Sequence, residues 1–374
     1  MQVKHSPQVG ENSFGRLISL DVFRGITVVA MIVVNSPGSW SHVYAPLLHK
    51  DWHGVTPTDF IFPFFLFIVG VSIALAYTKQ INKGIPNALM YRKLIIRSVK
   101  IFALGLFLNL WPQFNIAELR VAGVLQRIAI VFLVCGLLFI RANWKKQAVV
   151  GAVILVGYWL AMVLIPTPGY GKAMLEPGTN LAAWIDRIIL PGRMWQTTWD
   201  PEGLFSTLPA IASGITGLLA GRLIVSKQSG ERKILYLFTA GFIATIVGYA
   251  WGCTFPMNKP LWTSSYVLFT SGMAAMVLGV SMFLVDILGY TRGTKPWLIF
   301  GSNAIAVYVM AGMLIAVFYS LPIGGASLNV HYFNLLTGLG VAPKLASLTY
   351  ALLYVGLLFV PAAILYNRKI FVKL

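Results

Sequence analysis

Charged residues are scarce in this chain of 374 residues. Asp, Glu, Lys and Arg together make up 11% of it, whereas about a quarter of the residues of a soluble domain are charged. Acidic residues are the rarer sign, with 11 against 29 basic ones. The two cysteines, Cys135 and Cys253, lie far apart inside apolar runs, which excludes a disulfide framework and a cysteine-based zinc site. So few charges also exclude a soluble globular domain.

Long apolar runs stand where the charges are missing. The chain is 57% hydrophobic, and runs such as 60–77, 128–140 and 236–252 approach the roughly 20 apolar residues that cross a bilayer core. A helix satisfies its own backbone hydrogen bonds, as the bilayer requires. We therefore predict an all-α, polytopic membrane helical bundle of about ten transmembrane helices, at 17–36, 57–77, 96–111, 121–140, 147–165, 204–222, 234–255, 265–289, 297–320 and 345–366.

The basic residues are divided unevenly between alternate loops. Twenty of the 29 lie in the N-terminus, in the loops after spans two, four, six and eight, and in the C-terminus, and seven lie in the opposite loops. The positive-inside rule then places both termini in the cytoplasm, with 1–16 and 367–374 as cytoplasmic segments beside a transmembrane domain at 17–366. This distribution accounts for the net charge of +18 with membrane lipid, and no nucleic acid, as partner.

Three of the five histidines fall in the loop after the first span. His42, His49 and His53 lie there with Asp51 and Asp59. The spacing of four between His49 and His53 would suit a metal pair on a helix, but proline and glycine interrupt the segment and no ligand completes a tetrahedral set. Acid–base chemistry is the better interpretation, because histidine titrates near neutral pH and a carboxylate can fix its tautomer. We predict no metal site.

Several basic residues lie inside predicted spans, where charged groups face the bundle interior or a cavity. Arg24 follows Asp21 by three residues on one helix face, which suits an internal ion pair or an additional contact with an anionic ligand. Arg97 and Lys100 begin span three, where ordinary cytoplasmic charge with snorkelling stems is the alternative. Arg127 lies within span four and needs a carboxylate or a phosphate. CoA would supply phosphates to these four cations.

The longest loop on the opposite side, 166–203, ends with Trp199, Asp200 and Glu202. Amino-sugar rings have apolar faces that stack on tryptophan, so these three residues are candidates for binding a glycan. The alternative is an aromatic belt at the membrane interface. On the residues alone, the polar groups would equally suit a transporter.

Six segments carry a resemblance to a known family. They are SLDVFRG (19–25) with VVN (33–35), HKDWHGVTPTDFIFPFFLFIVG (49–70), GVLQRIAI (123–130), DPEGLFSTLPAI (200–211), NKPLWTSSY (258–266) and GSNAIAVYV (301–309). In their order and spread, the chain resembles the heparan-α-glucosaminide N-acetyltransferase family of transmembrane acyltransferases, which has bacterial members. The resemblance covers nearly the whole chain.

This resemblance implies acetyl-CoA as donor and the amine of a glucosamine-type sugar as acceptor. It assigns the catalytic histidine to His49 and the active-site asparagine to Asn35, which ends the first span and would stabilise the oxyanion. Asp59 is a candidate to orient His49, which would act as a base or form a transient acetyl-histidine. The family has an asparagine at the position of His53, so His53 is not expected to be catalytic.

Two alternative functions remain open at this stage. One is a permease for amino sugars, and the other is an acyltransferase that acts on another cell-envelope glycan. For the acyltransferase we expect an integral protein of the bacterial inner membrane. A second copy of the chain is a candidate partner, as a homodimer.

Overall fold

The computed structural model describes residues 17–372. The predicted cytoplasmic segment 1–16 and the last two residues of the predicted tail lie outside the described residues. The α-helices of the described part are α1 (Ile18–Asn35), α2 (Ile61–Asn82), α3 (Asn87–Leu110), α4 (Val124–Arg141), α5 (Trp144–Leu164), α6 (Leu181–Ile189), α7 (Leu204–Ile224), α8 (Gly230–Trp251), α9 (Ser264–Ser281), α10 (Lys295–Ser302), α11 (Ala304–Ser320), α12 (Leu328–Gly338) and α13 (Pro343–Asn367). Two short strands, β1 (Pro322–Ile323) and β2 (Ala326–Ser327), pair as an antiparallel hairpin.

Eight helices between residues 17 and 372 are long and apolar enough to cross a membrane. They are α1, α2 with the turn from Pro57, α4, α5, α7, α8, α9 with its π-helical extension to Ile287, and α13. The pair α10 and α11 would be a ninth span. The predicted span 96–111 lies in α3, whose basic residues make it less apolar than the others. The all-α membrane bundle is therefore confirmed, while the side on which each terminus lies stays a prediction.

The predicted span 297–320 is a broken helix rather than a straight one. α10 and α11 meet at 81° around Asn303. The Asn303 side chain donates from Nδ2 to the carbonyl oxygen of Ile370 at 3.1 Å and accepts from the backbone N–H of Val372 at 2.9 Å. The break therefore binds the segment that follows α13, a partner almost 70 residues away in the sequence.

Helices α2 and α7 run parallel with their backbones in contact. A Cβ atom added at Gly217 would overlap the carbonyl oxygen of Phe67, and one added at Gly70 would overlap that of Gly214. Small residues permit such close approach, which in lipid is a main source of helix association. Because both helices begin at the same end of the bundle, this contact fixes the segment before α2 relative to the segment before α7.

We expect Gly217→Val to destabilise the bundle, because the added isopropyl group cannot fit between α2 and α7. Overpacking of this kind costs about 1–3 kcal/mol or more. Thermal unfolding of the purified protein in detergent measures the effect. Gly157→Val on α5 is the matched control, because a Cβ atom there meets nothing within 4 Å. Equal unfolding temperatures for the two variants would contradict the packing argument.

Candidate active site

The site begins at the turn Pro57–Phe60, which leads into α2. Thr56 and Asp59 form a capping box there. The Oδ2 atom of Asp59 accepts from the backbone N–H of Thr56 at 2.9 Å, from the Thr56 hydroxyl at 3.0 Å and from the backbone N–H of Lys50 at 3.1 Å. These bonds satisfy donors at the helix start and fold residues 48–50 back against it.

The other oxygen of Asp59 binds His49. Its Oδ1 atom lies 2.7 Å from His49 Nδ1, and the Asp59 side chain is 1% exposed while that of His49 is 47% exposed. An ionised carboxylate only accepts hydrogen bonds, so Nδ1 donates and Nε2 of a neutral ring keeps its lone pair. The hydrogen bond therefore orients a half-exposed imidazole, and the role of His49 as a base stays a prediction.

A lysine from a distant loop completes this group. Lys259 Nζ lies 3.0 Å from His49 Nδ1, 3.1 Å from His49 Nε2 and 3.8 Å from Asp59 Oδ1. Because the two ring distances are nearly equal, the ammonium faces the ring rather than one lone pair. The side chain is 19% exposed. Desolvation lowers the pKa of Lys259, and the charges of Asp59 and Glu202 oppose that shift.

Asn35, His53 and His42 do not share the hydrogen bonds of the His49–Asp59 pair. Asn35 is exposed at the last position of α1, which packs against the Pro57–Phe60 turn, and its side chain makes no hydrogen bond within residues 17–372. The Nε2 atom of His53 lies 3.9 Å from Glu176, away from Asp59. His42 stacks on Phe333. Across the described chain, no three His, Cys, Asp or Glu side chains group as metal ligands.

The predicted sugar-binding acids are engaged with an arginine that sequence reasoning did not single out. Arg120 Nε and Nη2 lie 2.7 and 2.5 Å from the two oxygens of Asp200, and Nη2 lies 2.5 Å from Glu202 Oε2. Asp200 also accepts from the backbone N–H groups of Trp195 and Glu202. These bonds keep the pKa of Asp200 low despite burial. The Asp200 carboxylate is therefore occupied by Arg120 and by backbone N–H groups, whereas Glu202 retains 12% side-chain exposure. The role of both acids in sugar binding stays a prediction.

A cavity opens beside this network. It has a volume of about 520 Å³, and its lining includes Asn109, Glu118, Arg120, Arg193, Trp195 and Gln196. The Trp195 ring covers the Arg120 guanidinium, with 5.1 Å between the centroid and the carbon. Trp199 instead packs edge-on against Trp52, with the ring centroids 5.1 Å apart. Trp199 thus joins the two loops that flank the site.

Arg127 lies in the first turn of α4, at the end of the bundle that carries His49. It is 1% exposed, and it donates to Gly203 O at 3.2 Å, to Ser206 Oγ at 2.5 Å and to Thr207 Oγ1 at 3.2 Å. Its guanidinium also stacks on Trp262. The structure therefore sets Arg127 apart from the other three predicted donor-binding cations.

Those three cations lie further along the bundle. Arg24 binds Asp21 at 2.9 Å and Ser72 Oγ at 2.8 Å. Arg97 is exposed, stacks 4.8 Å from the Phe132 ring centroid and lies close enough to Arg24 for repulsion. Lys100 follows on the same helix and is exposed. Arg97 has no carboxylate partner among residues 17–372, so its charge is available to an anion.

Sequence reasoning missed Lys259 and Arg120 as site residues. The sequence could have pointed to both, because they are two of only seven basic residues in the loops predicted to be non-cytoplasmic. A cation on that side is not explained by topology and calls for an acidic partner. Their partners, Asp59 and Asp200, are 200 and 80 positions away, which no local pattern reveals.

Comparison with known proteins identifies the relatives of the chain. A family model described as heparan-alpha-glucosaminide N-acetyltransferase, catalytic, matches residues 16–246. The chain belongs to this family. The human protein named heparan-alpha-glucosaminide N-acetyltransferase is 30% identical over 354 residues, 79% of this chain and 52% of the human one. Its mouse counterpart is 28% identical over 369 residues, 83% and 55% of the two chains. The chain spans about half the length of these curated relatives.

Membership of the family confirms the resemblance drawn from the six segments. The matched range of the family model contains His49, Asp59, Arg120, Arg127 and the acids near 200. Lys259 lies beyond the end of that range.

A buried carboxylate on α6 caps the first turn of α7. The Asp186 side chain on α6 is 2% exposed, and its Oδ1 atom accepts from the backbone N–H groups of Leu204 at 2.8 Å and Phe205 at 3.2 Å. Burial raises the pKa of Asp186 to about 6, against these hydrogen bonds, which lower it. Asp186 thus caps the helix that supplies Ser206 and Thr207 to Arg127.

This shift predicts a pH dependence of stability. A carboxyl group whose pKa rises on folding stabilises the folded state while it is protonated, and that contribution is lost as pH increases from about 4 through about 6. Asp186→Asn keeps an acceptor without the charge, so it should match wild type near pH 4 and exceed it at pH 8 by on the order of 2–3 kcal/mol. Thermal melts followed by tryptophan fluorescence test this. A variant less stable than wild type at pH 8 would contradict it.

Proposed function

We propose that this chain transfers an acetyl group from acetyl-CoA to the amine of a glucosamine-type sugar. The His49–Asp59 pair carries the proposal, because a half-exposed imidazole held by a buried carboxylate is an acid–base device. The name of the human and mouse relatives, heparan-alpha-glucosaminide N-acetyltransferase, supports the choice of reaction. Acetyl-CoA supplies an activated thioester, and the residues of this chain supply binding, orientation and proton transfer.

His49 Nε2 is the proposed base. The neutral acceptor amine attacks the thioester carbonyl, and Nε2 takes its N–H proton as the N–C bond forms. The C–S bond then breaks and CoA leaves as the thiol, with the proton returned. Asp59 stabilises the imidazolium through Nδ1. A route through acetyl-histidine would use the same Nε2 as nucleophile, so both routes depend on His49.

Asn35 is the proposed donor to the developing oxyanion. Its side chain is exposed at the end of α1 and is not occupied by a hydrogen bond within the described chain. A donor of this kind contributes about 2.7–4 kcal/mol to the transition state. We assign Asn35 this role because an unoccupied amide beside the His49 segment can bind a carbonyl oxygen.

The proposed donor site consists of Arg24, Arg97 and Lys100. Phosphate groups are bound by arginine and lysine through charge-assisted hydrogen bonds, and the unpaired charge of Arg97 fits such a group. We leave Arg127 out of this set, although its sequence position suggested a phosphate contact. Its bonds to Gly203, Ser206 and Thr207 support a position for Arg127 near His49 rather than at the phosphates.

The acceptor is proposed to bind at the His49 end, between Trp199 and the exposed edge of Glu202. Asp200 acts there through Arg120, as a positioning residue. The uneven division of basic residues supports a non-cytoplasmic location for this end, in a bacterial inner membrane. The donor cations then lie towards the cytoplasmic side, where acetyl-CoA is made.

We expect His49→Ala to abolish transfer while leaving donor binding intact. Loss of a positioned acid or base lowers the rate about 100- to 10,000-fold, and the proposed donor cations lie on other helices. Glucosamine-dependent release of CoA by the purified protein measures the rate, and calorimetry measures acetyl-CoA binding. His53→Ala is the matched control, because His53 is a loop histidine that does not contact Asp59.

The two histidine variants separate the functions that the sequence left open. A permease would leave wild type without CoA release under any condition. An inactive His53→Ala beside an active His49→Ala would move the catalytic position four residues along. Activity in both variants would exclude histidine catalysis at this loop.

For the donor site, we expect Arg97→Gln to weaken acetyl-CoA binding about 10- to 150-fold, the cost of one charge-assisted hydrogen bond. Calorimetry on the purified variant measures this. Arg92→Gln removes the same charge from an exposed position on the same helix and should bind as wild type does. Equal affinities for the two variants would exclude Arg97 from the donor site.

A further inference from the structure

Lys259 is held against His49 by a rigid loop. The preceding residue, Asn258, is fully buried. Its side chain accepts from the backbone N–H of Leu261 at 2.8 Å and donates to the carbonyl oxygen of Trp52 at 3.1 Å. The backbone N–H of Gly54 donates to Met257 O at 2.7 Å. Two hydrogen bonds therefore join the loop of Lys259 to the loop of His49 close to the contact between these two side chains.

A cation over the ring has a definite chemical effect. A histidine bonded to a carboxylate alone favours the imidazolium, because Asp59 stabilises that charge. A protonated ring cannot act as a base. An ammonium within 3.1 Å of both ring nitrogens opposes a second positive charge there, because like charges disfavour each other's charged form.

We propose that Lys259 is a positioning residue that keeps His49 neutral, and so able to accept a proton, at the pH of the transfer reaction. The inference rests on the proposed function, in which His49 Nε2 takes the proton of the acceptor amine. Lys259 acts through the ring of His49 and through Asp59, which it stabilises as a carboxylate from 3.8 Å.

The other charges around the ring do not replace this effect. On its own loop, His49 is followed by Lys50 and Asp51, whose exposed side chains carry opposite charges. Three charged groups of the neighbouring elements act on His49 or on Lys259. They are Asp59 of the α2 turn, Glu202 before α7 and Arg127 of α4, and the last two act through Lys259. On α9, the Tyr266 hydroxyl donates to the backbone carbonyl of Asp59 at 2.5 Å. Within residues 17–372, Lys259 is the cation whose nitrogen lies at hydrogen-bond distance from the ring nitrogens.

The test is the pH dependence of kcat/KM for Lys259→Met, with Lys259→Arg as the conservative variant. Methionine keeps the length of the side chain without its charge. We expect the acidic limb of its kcat/KM profile to move up by at least one pH unit. One unit below the wild-type midpoint, this is about a tenfold loss of kcat/KM, and kcat/KM recovers at alkaline pH. Lys259→Arg should retain the wild-type limb. Lys50→Met, which removes a cation from the same loop, should leave the profile unchanged.

A purely structural lysine would give a different result. It would lower activity equally at every pH, or not at all, and either outcome overturns the proposal. Thermal unfolding and acetyl-CoA affinity report whether the variants fold and bind. If Lys259→Met does not fold, Lys259→Gln replaces it in the same comparison.

Direct titration of the histidine separates this inference from the proposed function. The His49 ring is followed by NMR in protein labelled at histidine Cε1, with the signal identified by its loss in His49→Ala. A midpoint at least one pH unit higher in Lys259→Met supports the role of Lys259 even if wild type transfers no acetyl group, in which case only the proposed function fails. An unchanged midpoint overturns the inference whatever the activity.

Discussion

The carboxylate of Asp59 is the group on which the candidate site depends. One of its oxygens closes the capping box that starts α2 and holds the backbone of Lys50, and the other orients His49. Lys259 approaches the same carboxylate from the loop before α9. Two segments that are far apart in the sequence, 49–59 and the loop of Lys259, thus meet at one buried charge. A buried carboxylate is stable only when hydrogen bonds and opposite charges replace its water, so the fold and the site satisfy the same requirement.

A second ionic network stabilises the neighbouring loops. Arg120 joins the approach to α4 with Asp200 and Glu202 before α7, and Arg127 continues the connection inside the bundle through Ser206 and Thr207. Removing one partner of such a buried group leaves an uncompensated charge, which costs about 3–5 kcal/mol. The loops at this end are therefore rigid supports, as a site needs if its groups are to be held in reacting geometry.

The sequence predicts the bundle well and the site in part, for physical reasons that differ. Apolar runs specify spans because crossing a bilayer is a matter of length and composition. Each predicted span therefore overlaps at least one helix, although 297–320 is divided between α10 and α11. The break at Asn303 was not predicted, because it depends on Ile370 and Val372. His49 and Asp59 were predicted as a pair from one loop. Lys259 was not, because its contact with them is set by tertiary structure.

The acids near residue 200 have partners that the sequence did not reveal. Asp200 and Glu202 beside Trp199 suggested sugar binding, and the structure shows Asp200 occupied by Arg120 and two backbone N–H groups. The arginine that occupies it lies 80 residues earlier. A carboxylate in an apolar protein is as often a partner for a buried cation as a ligand-binding group, and only the fold distinguishes the two.

The glycine contact between α2 and α7 also determines which routes through the bundle are closed. Where Gly70 and Gly217 bring the two backbones together, no solvent-filled passage exists, and a molecule as wide as a pantetheine arm cannot pass between these helices. A donor that extends from Arg97 towards His49 must therefore follow another face of α2. Ser72, which binds Arg24 on α1, lies on such a face, so Arg24 lies outside the contact between α2 and α7.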